Sequence, residues 1–216
     1  MSNLKKTSKS VIKALYQLTY DFDRILESVG LEYWMDGGTY LGSIRHNGII
    51  PWDDDVDVAM EYKNRNKLLL LKNQFKKCGY TIIKTWFGYK VCYINKKLVE
   101  GEKYSFPNLD VFLYKKIKSL YIPAFKLVRE IWPNAYYNEK DVYPLKQYAF
   151  GDITIPGIAN HQKYLDRMYG KDWNTVAYRQ YDHQKEEEVT IVKVKLTKND
   201  RVPAEPTKVT KRRCAN

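Results

Sequence analysis

Val11, Leu15, Leu18, Phe22, Ile25 and Val29 recur at alternating steps of four and three, which predicts an amphipathic helix with one face in a core. Ser8 or Ser10 is placed to cap its start and Gly30 to end it. Residues 31–35 then read as a short strand running into Gly37-Gly38, and Thr39 as the N-cap of a helix through Arg45. After a loop over 47–52, residues 55–60 alternate as a strand does. A helix is expected over 64–77, with Leu68, Leu71 and Phe75 on one face and Gly79 beyond its end. Strands are expected at 80–83, 89–94 and 109–113. Two further helices follow, one over 121–132 stopped by Pro133 and one over 161–169 closed by Gly170. A strand at 189–196 leads into a basic, Pro-containing tail expected to be partly flexible.

This order points to an α+β (mixed α/β) domain over 1–184, with a small mixed sheet flanked by helices and a helical C-terminal part. Residues 185–216 form a basic extension to it. At 216 residues the chain is long enough to bury a real core, and 44% hydrophobic with 29% charged residues is a globular balance. Cys78, Cys92 and Cys214 are scattered, so neither a zinc site nor a disulfide framework is indicated. No apolar run approaches the roughly 18–20 residues of a membrane span, and no signal-peptide core follows the N-terminus. The expectation is a soluble, cytoplasmic protein. The formal charge of +12 favours anionic partners, yet Lys and Arg are dispersed. That is a general positive field rather than a nucleic-acid groove, and nucleic acid is not the expected partner.

Candidate chemistry concentrates between residues 36 and 57. Gly37 and Gly38 lie between a strand and a helix, where backbone can approach a ligand and helix N–H groups can meet a phosphate. Alone, a Gly-Gly pair is more often just a turn. In Trp52-Asp53-Asp54-Asp55-Val56-Asp57-Val58, alternation places Asp53, Asp55 and Asp57 on one face and the valines on the other. Like charges in a row are costly unless neutralised, and Mg²⁺ or Mn²⁺ is the hard cation that carboxylates favour. An EF-hand loop is excluded, because its glycine and terminal glutamate are missing at their spacing. Asp110 interrupts the apolar strand 109–113. It is either a water-facing aspartate at a strand edge or end, or an acid that is paired or ligates a metal. With Asp55 and Asp57 it could hold two ions about 3.5–4 Å apart, the clamp of phosphoryl transfer.

The run Tyr33-Trp34-Met35-Asp36-Gly37-Gly38-Thr39-Tyr40-Leu41-Gly42-Ser43-Ile44-Arg45-His46, followed by Ile49-Ile50-Pro51-Trp52-Asp53-Asp54-Asp55-Val56-Asp57, resembles the LicD family. That family includes bacterial phosphorylcholine transferases and fukutin-type proteins. It belongs to the nucleotidyltransferase superfamily, whose fold is polymerase β-like. The resemblance is dense over about residues 31–60 and looser from Leu109 to Tyr169. It implies transfer of a phospho-alcohol group (phosphocholine- or ribitol phosphate-like) from a CDP-linked donor to a sugar hydroxyl of a glycan, with release of CMP. It also implies Asp55, Asp57 and Asp110 as catalytic residues and metal ligands, Asp110 serving as third ligand or as base. Gly37, Gly38 and Thr39 would hold donor phosphate, and Arg45 is a phosphate partner or a surface ion pair. His46 reads as structural, since a metal lessens the need for a histidine base. Trp52 reads as packing. Unlike the fukutin-type proteins, the chain shows no N-terminal anchor and no zinc-type cysteine cluster. Two alternatives stand beside this reading. One is a nucleotidyltransferase moving NMP onto a small molecule, RNA or protein; the other is a non-catalytic nucleotide- or nucleic-acid-binding protein.

Overall fold

Helix α1 (Lys9–Glu27) forms where the apolar stripe predicts it, with Ser8 Oγ accepting from Val11 N–H at its start and Gly30 at φ 61° beyond its end. The computed structural model describes residues 4–182 and 187–211, with side chains described outside 178–182 and 187–192. After α1 come β1 (Trp34–Met35), α2 (Gly37–His46) and β2 (Val56–Glu61). A 3₁₀ turn over Tyr62–Asn64 leads into α3 (Arg65–Leu70), α4 (Lys72–Lys77), β3 (Tyr80–Lys84), β4 (Gly88–Tyr93) and β5 (Asn108–Ile117). Next are β6 (Leu120–Pro123), α5 (Lys126–Ile131), β7 (Tyr137–Asn138), α6 (Glu139–Val142) and the hairpin β8 (Lys146–Phe150) with β9 (Ile153–Gly157). Helix α7 (Gln162–Tyr169) and the hairpin β10 (Val176–Asp182) with β11 (Glu187–Lys195) complete the series.

The fold is mixed α/β around a seven-stranded sheet ordered β1-β2-β5-β4-β3, extended by β6 and β7. Among the described residues, β2 and β5 pair in parallel and the other pairings of this sheet are antiparallel. Val56, Val58, Leu109, Val111 and Val91 share one face by register and alternation, and all are buried. Leu15, Leu18, Phe22 and Ile25 of α1 join them in a single core, and Phe22 packs its ring against Phe75 of α4. This burial is what makes the helix stable, since most helical stability in a folded protein comes from packing of the apolar face.

Five expectations are corrected. The strand over 31–35 shrinks to Trp34–Met35, because only these residues reach register with Ala59 and Val58 before the chain turns into α2. The cap of α2 is Asp36, whose extended backbone lets its carboxylate accept from Gly37 N–H, and Thr39 lies inside the helix. The helix over 64–77 breaks at Leu71, though Leu68, Leu71 and Phe75 are buried on one face as the pattern requires. Residues 120–123 are a strand rather than the start of a helix: Pro123 lacks a backbone donor, and Tyr121 and Ile122 favour pairing with β5 across a turn at Lys118, φ 54°. The C-terminal part carries two hairpins beside α7 and is not mainly helical.

Chain beyond β11 lies along the body. Ala204 N–H donates to the Ile49 carbonyl at 2.8 Å, Thr207 Oγ1 to Asp152 at 2.7 Å, and Thr210 N–H to Gln17 of α1 at 2.7 Å. Cys78 and Cys92 are buried, and Cys214 lies outside the described residues.

Candidate active site

Asp36 joins α2 to the sheet. Its N–H donates to the Asp57 carbonyl at 3.0 Å, and in return Asp57 N–H donates to Thr39 Oγ1 at 2.7 Å. These two bonds lock the first turn of α2 beside the start of β2. The Asp36 carboxylate also accepts from three tyrosine hydroxyls: Tyr114 of β5 at 2.9 Å, Tyr164 of α7 at 2.5 Å, and Tyr137 of β7. Burial first, and the Asp36 charge second, push all three phenols well above their ordinary range, so they stay protonated as donors.

The glycines face the acids. A Cβ at Gly37 would sit 2.9 Å from Asp57 Oδ2, and one at Gly38 would sit 2.9 Å from Asp53 Oδ2. Gly37 also enters the helix at φ 48°, which suits a residue without Cβ. The N–H groups of Gly38 and Thr39 belong to the first helical turn and have no acceptor within the helix. The predicted phosphate-binding turn and the predicted carboxylates are thus brought side by side, with no room for a side chain between them.

The acids are arranged differently from the sequence pattern. Strand β2 begins at Val56, so Asp53, Asp54 and Asp55 lie on the approach to it and only Asp57 is in the ladder. Carboxylate oxygens of Asp53, Asp54 and Asp55 lie within 4.8 Å of one another, a donor set that suits a hard divalent cation. Among the described residues this is the group that converges; Asp57 and Asp110 stand next to it on the sheet. Asp57 and Asp110 are register partners in neighbouring parallel strands, and Asp110 in turn faces Lys90 of β4. Asp110 is buried and paired, Lys90 Nζ lying 2.9 and 2.8 Å from its two oxygens.

Arg45 sits at the far end of α2, buried, where it donates to the Trp173 carbonyl at 2.5 Å and the Val176 carbonyl at 3.0 Å. It is not a surface ion pair. Burial lowers its pKa to about 10, while the Asp53 charge acts to raise it. His46 is fully buried, its ring edge-on to Trp52 with centroids 5.5 Å apart. Burial, and then the Arg45 charge, lower its pKa to about 3. The folded state therefore holds neutral His46 where the unfolded chain binds a proton. Its contribution to stability is complete above about pH 6.5 and is lost as pH falls toward 3, at about 1.4 kcal/mol per pH unit. Denaturant titrations at pH 7, 6 and 5 should show this slope, and His46→Gln should flatten it; an equal slope in that variant would assign the acid sensitivity elsewhere.

Several residues at this site escape sequence reasoning. Asp36, Lys90 and the tyrosines at 114, 137 and 164 carry no spacing that unites them. Tyr169, half-buried at the end of α7, has its phenol pushed up by burial and then by the charges of Asp57, Asp36, Asp53 and Asp55, so it borders the acid group. Beside Asp110 in its apolar strand, a lysine inside the apolar run Tyr89-Lys90-Val91-Cys92 is the legible sign of a buried pair.

A family model described as LicD/FKTN/FKRP, nucleotidyltransferase domain, matches residues 30–157. The uncharacterized protein RP689 of Rickettsia prowazekii is 33% identical over 164 residues, covering 76% of this chain and 56% of that one. Human ribitol 5-phosphate transferase FKRP is 24% identical over 76% of this chain and 32% of its own length. Lipopolysaccharide cholinephosphotransferase LicD of Haemophilus influenzae is 51% identical over 39 residues, 18% of this chain and 15% of that one. The chain spans about half the length of the rickettsial relatives it matches. Among the described residues, no helix is long and apolar enough to cross a membrane.

Proposed function

That the chain belongs to the LicD/FKTN/FKRP family of nucleotidyltransferase-fold domains is the premise from which we propose a metal-dependent transferase that moves a phospho-alcohol group, phosphocholine- or ribitol phosphate-like, from a CDP-linked donor to a sugar hydroxyl of a glycan. The observation that carries it is that Gly37 and Gly38 face the Asp57 and Asp53 carboxylates so closely that a Cβ on either would come within 2.9 Å of a carboxylate oxygen. A helix N-terminus suited to phosphate and a carboxylate group suited to Mg²⁺ or Mn²⁺ then act on one ligand, a nucleotide-linked diphosphate.

Asp53, Asp54 and Asp55 offer the converging oxygens that would hold the cation, and Asp57 borders the same space. When bound, a divalent ion supplies neutralising charge to the diphosphate and Lewis acidity at its oxygens. The remaining work falls to the chain. The first-turn N–H groups of α2 orient the donor phosphate, and the Asp36–tyrosine group fixes that turn. The acceptor hydroxyl oxygen bonds to the phosphorus carrying the alcohol. The bond from that phosphorus to the bridging oxygen breaks, CMP leaves, and the hydroxyl proton passes to a carboxylate of the group. Arg45 helps from a distance, by tying the end of α2 to the Trp173 and Val176 carbonyls.

Incubation with CDP-choline or CDP-ribitol, Mg²⁺ and a panel of sugars should release CMP and form a phosphodiester-linked product. Release of pyrophosphate from a nucleoside triphosphate would instead identify a nucleotidyl transfer. Neither turnover nor metal-dependent binding of any CDP compound would overturn the reading.

Gly38→Ala separates stability from metal binding. Its backbone φ is ordinary, so alanine should help the helix by up to about 1 kcal/mol. The new methyl group must displace Asp53 Oδ2 from 2.9 Å. The expected result is a thermal midpoint at or above that of the parent, with Mn²⁺ affinity lowered by about tenfold, the effect of disturbing a ligand's setting.

A further inference from the structure

Trp86 and Trp132 stand apart from the other tryptophans. Trp34, Trp52 and Trp173 are buried, whereas these two are 46% and 39% exposed. They lie face to face, with ring planes 11° apart and centroids 5.8 Å apart. Two such large apolar rings left together in water mark a binding surface, since their burial is strongly favourable. Both are held firmly. Trp86 sits edge-on to Phe87, Phe87 stacks on Phe112 at 4.6 Å, and Trp132 sits edge-on to Phe112 at 5.8 Å. Two bonds close the turn that presents Trp86 and Phe87: Thr85 N–H to the Gly88 carbonyl at 3.0 Å, and Gly88 N–H to Thr85 Oγ1 at 3.2 Å. Gly88 lets that turn press against β5, where a Cβ would come 2.1 Å from the Val111 carbonyl oxygen.

This aromatic group continues the sheet face that carries the candidate active site. Phe112 follows Asp110 by two residues in β5, so their side chains share a face. Phe112 stands opposite Gly88 as Asp110 stands opposite Lys90. The Lys90 ammonium that bonds Asp110 lies 5.6 Å from the centre of the Phe87 ring. On the other side of β5 comes β2, with Asp57 bonded to the first turn of α2. A donor phosphate held at that turn and a group resting on the tryptophans would therefore meet across the acids.

An exposed indole shelf suits a ring with an apolar C–H face and a hydroxyl rim, which is the make-up of a sugar. The face covers the indoles and the rim stays hydrated. A cation also favours indoles, but Lys90 already puts a positive charge at the inner end of this group. A nucleobase would stack as well, but it travels with the donor, whose phosphates belong on the α2 side. We propose that Trp86 and Trp132 form the acceptor shelf of this protein, on which a sugar ring of the glycan lies with its reacting hydroxyl toward the acids. The inference rests on the transfer reading of that site and deepens it, by naming residues that select the acceptor.

The test begins with binding of the full chain to an array of immobilised glycans, without donor. Acceptor kinetics follow, with CDP-choline or CDP-ribitol, Mg²⁺ and the glycans that bind. Trp86→Ala and Trp132→Ala should each weaken glycan binding and raise the acceptor KM by about five- to tenfold, the worth of one ring contact. The donor KM should stay within about twofold of the parent's, because uniform acceptor binding is what is removed. Trp86→Phe, which keeps a ring, should recover most of the loss. Should Trp132→Ala lose stability through its contact with Phe112, Trp86→Ala decides alone. Unchanged glycan binding and acceptor KM in Trp86→Ala, or no glycan bound by the parent, would overturn the shelf. A raised donor KM with an unchanged acceptor KM would assign the rings to the nucleobase and overturn it equally. Failure of the transfer reading looks different: the parent releases no CMP from any CDP compound, yet glycan binding that depends on Trp86 persists and keeps a sugar on the shelf.

Discussion

Asp57→Asn is expected to lower turnover of a CDP-linked donor by about 10²–10³-fold while leaving the thermal midpoint within a few degrees of the parent. The size of the loss follows from removing a charge where phosphate charge must be stabilised, for which single-group deletions cost about 10²–10³. The mildness toward folding follows from three features. Asparagine keeps the shape, and the two backbone bonds that lock Asp57 to α2 use its N–H and carbonyl. The substitution also relieves repulsion with the neighbouring acids. Kinetics with CDP-choline or CDP-ribitol, paired with thermal denaturation in chelator, checks both halves. A collapse of stability without metal would mark Asp57 as structural and move the reaction elsewhere. Full activity would remove it from the site.

The largest loss of stability should come from Asp36→Ala. This change removes the cap of α2 and leaves Tyr114, Tyr137 and Tyr164, all buried, without their shared acceptor. Cap loss costs about 1 kcal/mol and each stranded buried hydroxyl about 1–3 kcal/mol, so the sum exceeds about 4 kcal/mol. That corresponds to a fall of roughly 10 °C in the thermal midpoint for a chain of this length. Asp36→Asn keeps an acceptor oxygen and should lose less than half as much. Tyr164→Phe should show a further, local effect, because that hydroxyl also accepts from Gly37 N–H at 3.1 Å. A loss below about 1 kcal/mol for Asp36→Ala, measured by denaturant titration, would show that the tyrosines find other partners.

The two predictions differ in what made them visible. Asp57 stands out in the primary sequence, as an acid in an apolar alternation downstream of a Gly-Gly pair. Asp36 does not: it sits in the same block yet draws its importance from residues 78, 101 and 128 positions away. The same contrast runs through the fold. Helix α1 was legible because a 3.6-residue period over five turns has no competing reading, and β2, β3, β4 and β5 were legible from alternation. Strand β6 was misread as helix, since a short apolar run fits both periods and its partner, β5, is what selects the strand.

Local pattern, then, sufficed for the mixed α/β class, the helix entered through Gly37 and Gly38, and the acid-rich approach to β2, since each depends on period, turn chemistry and neighbouring residues. Alternation assigns a side chain to a face but says nothing of what stands beside it, because neighbours across strands are set by register, and register by the packing of the whole sheet. Tertiary structure alone therefore decided that Asp53, Asp54 and Asp55 converge and that Lys90 closes on Asp110. It also decided that three distant tyrosines meet on Asp36, and that Arg45 turns away from the glycines to hold the carbonyls of Trp173 and Val176.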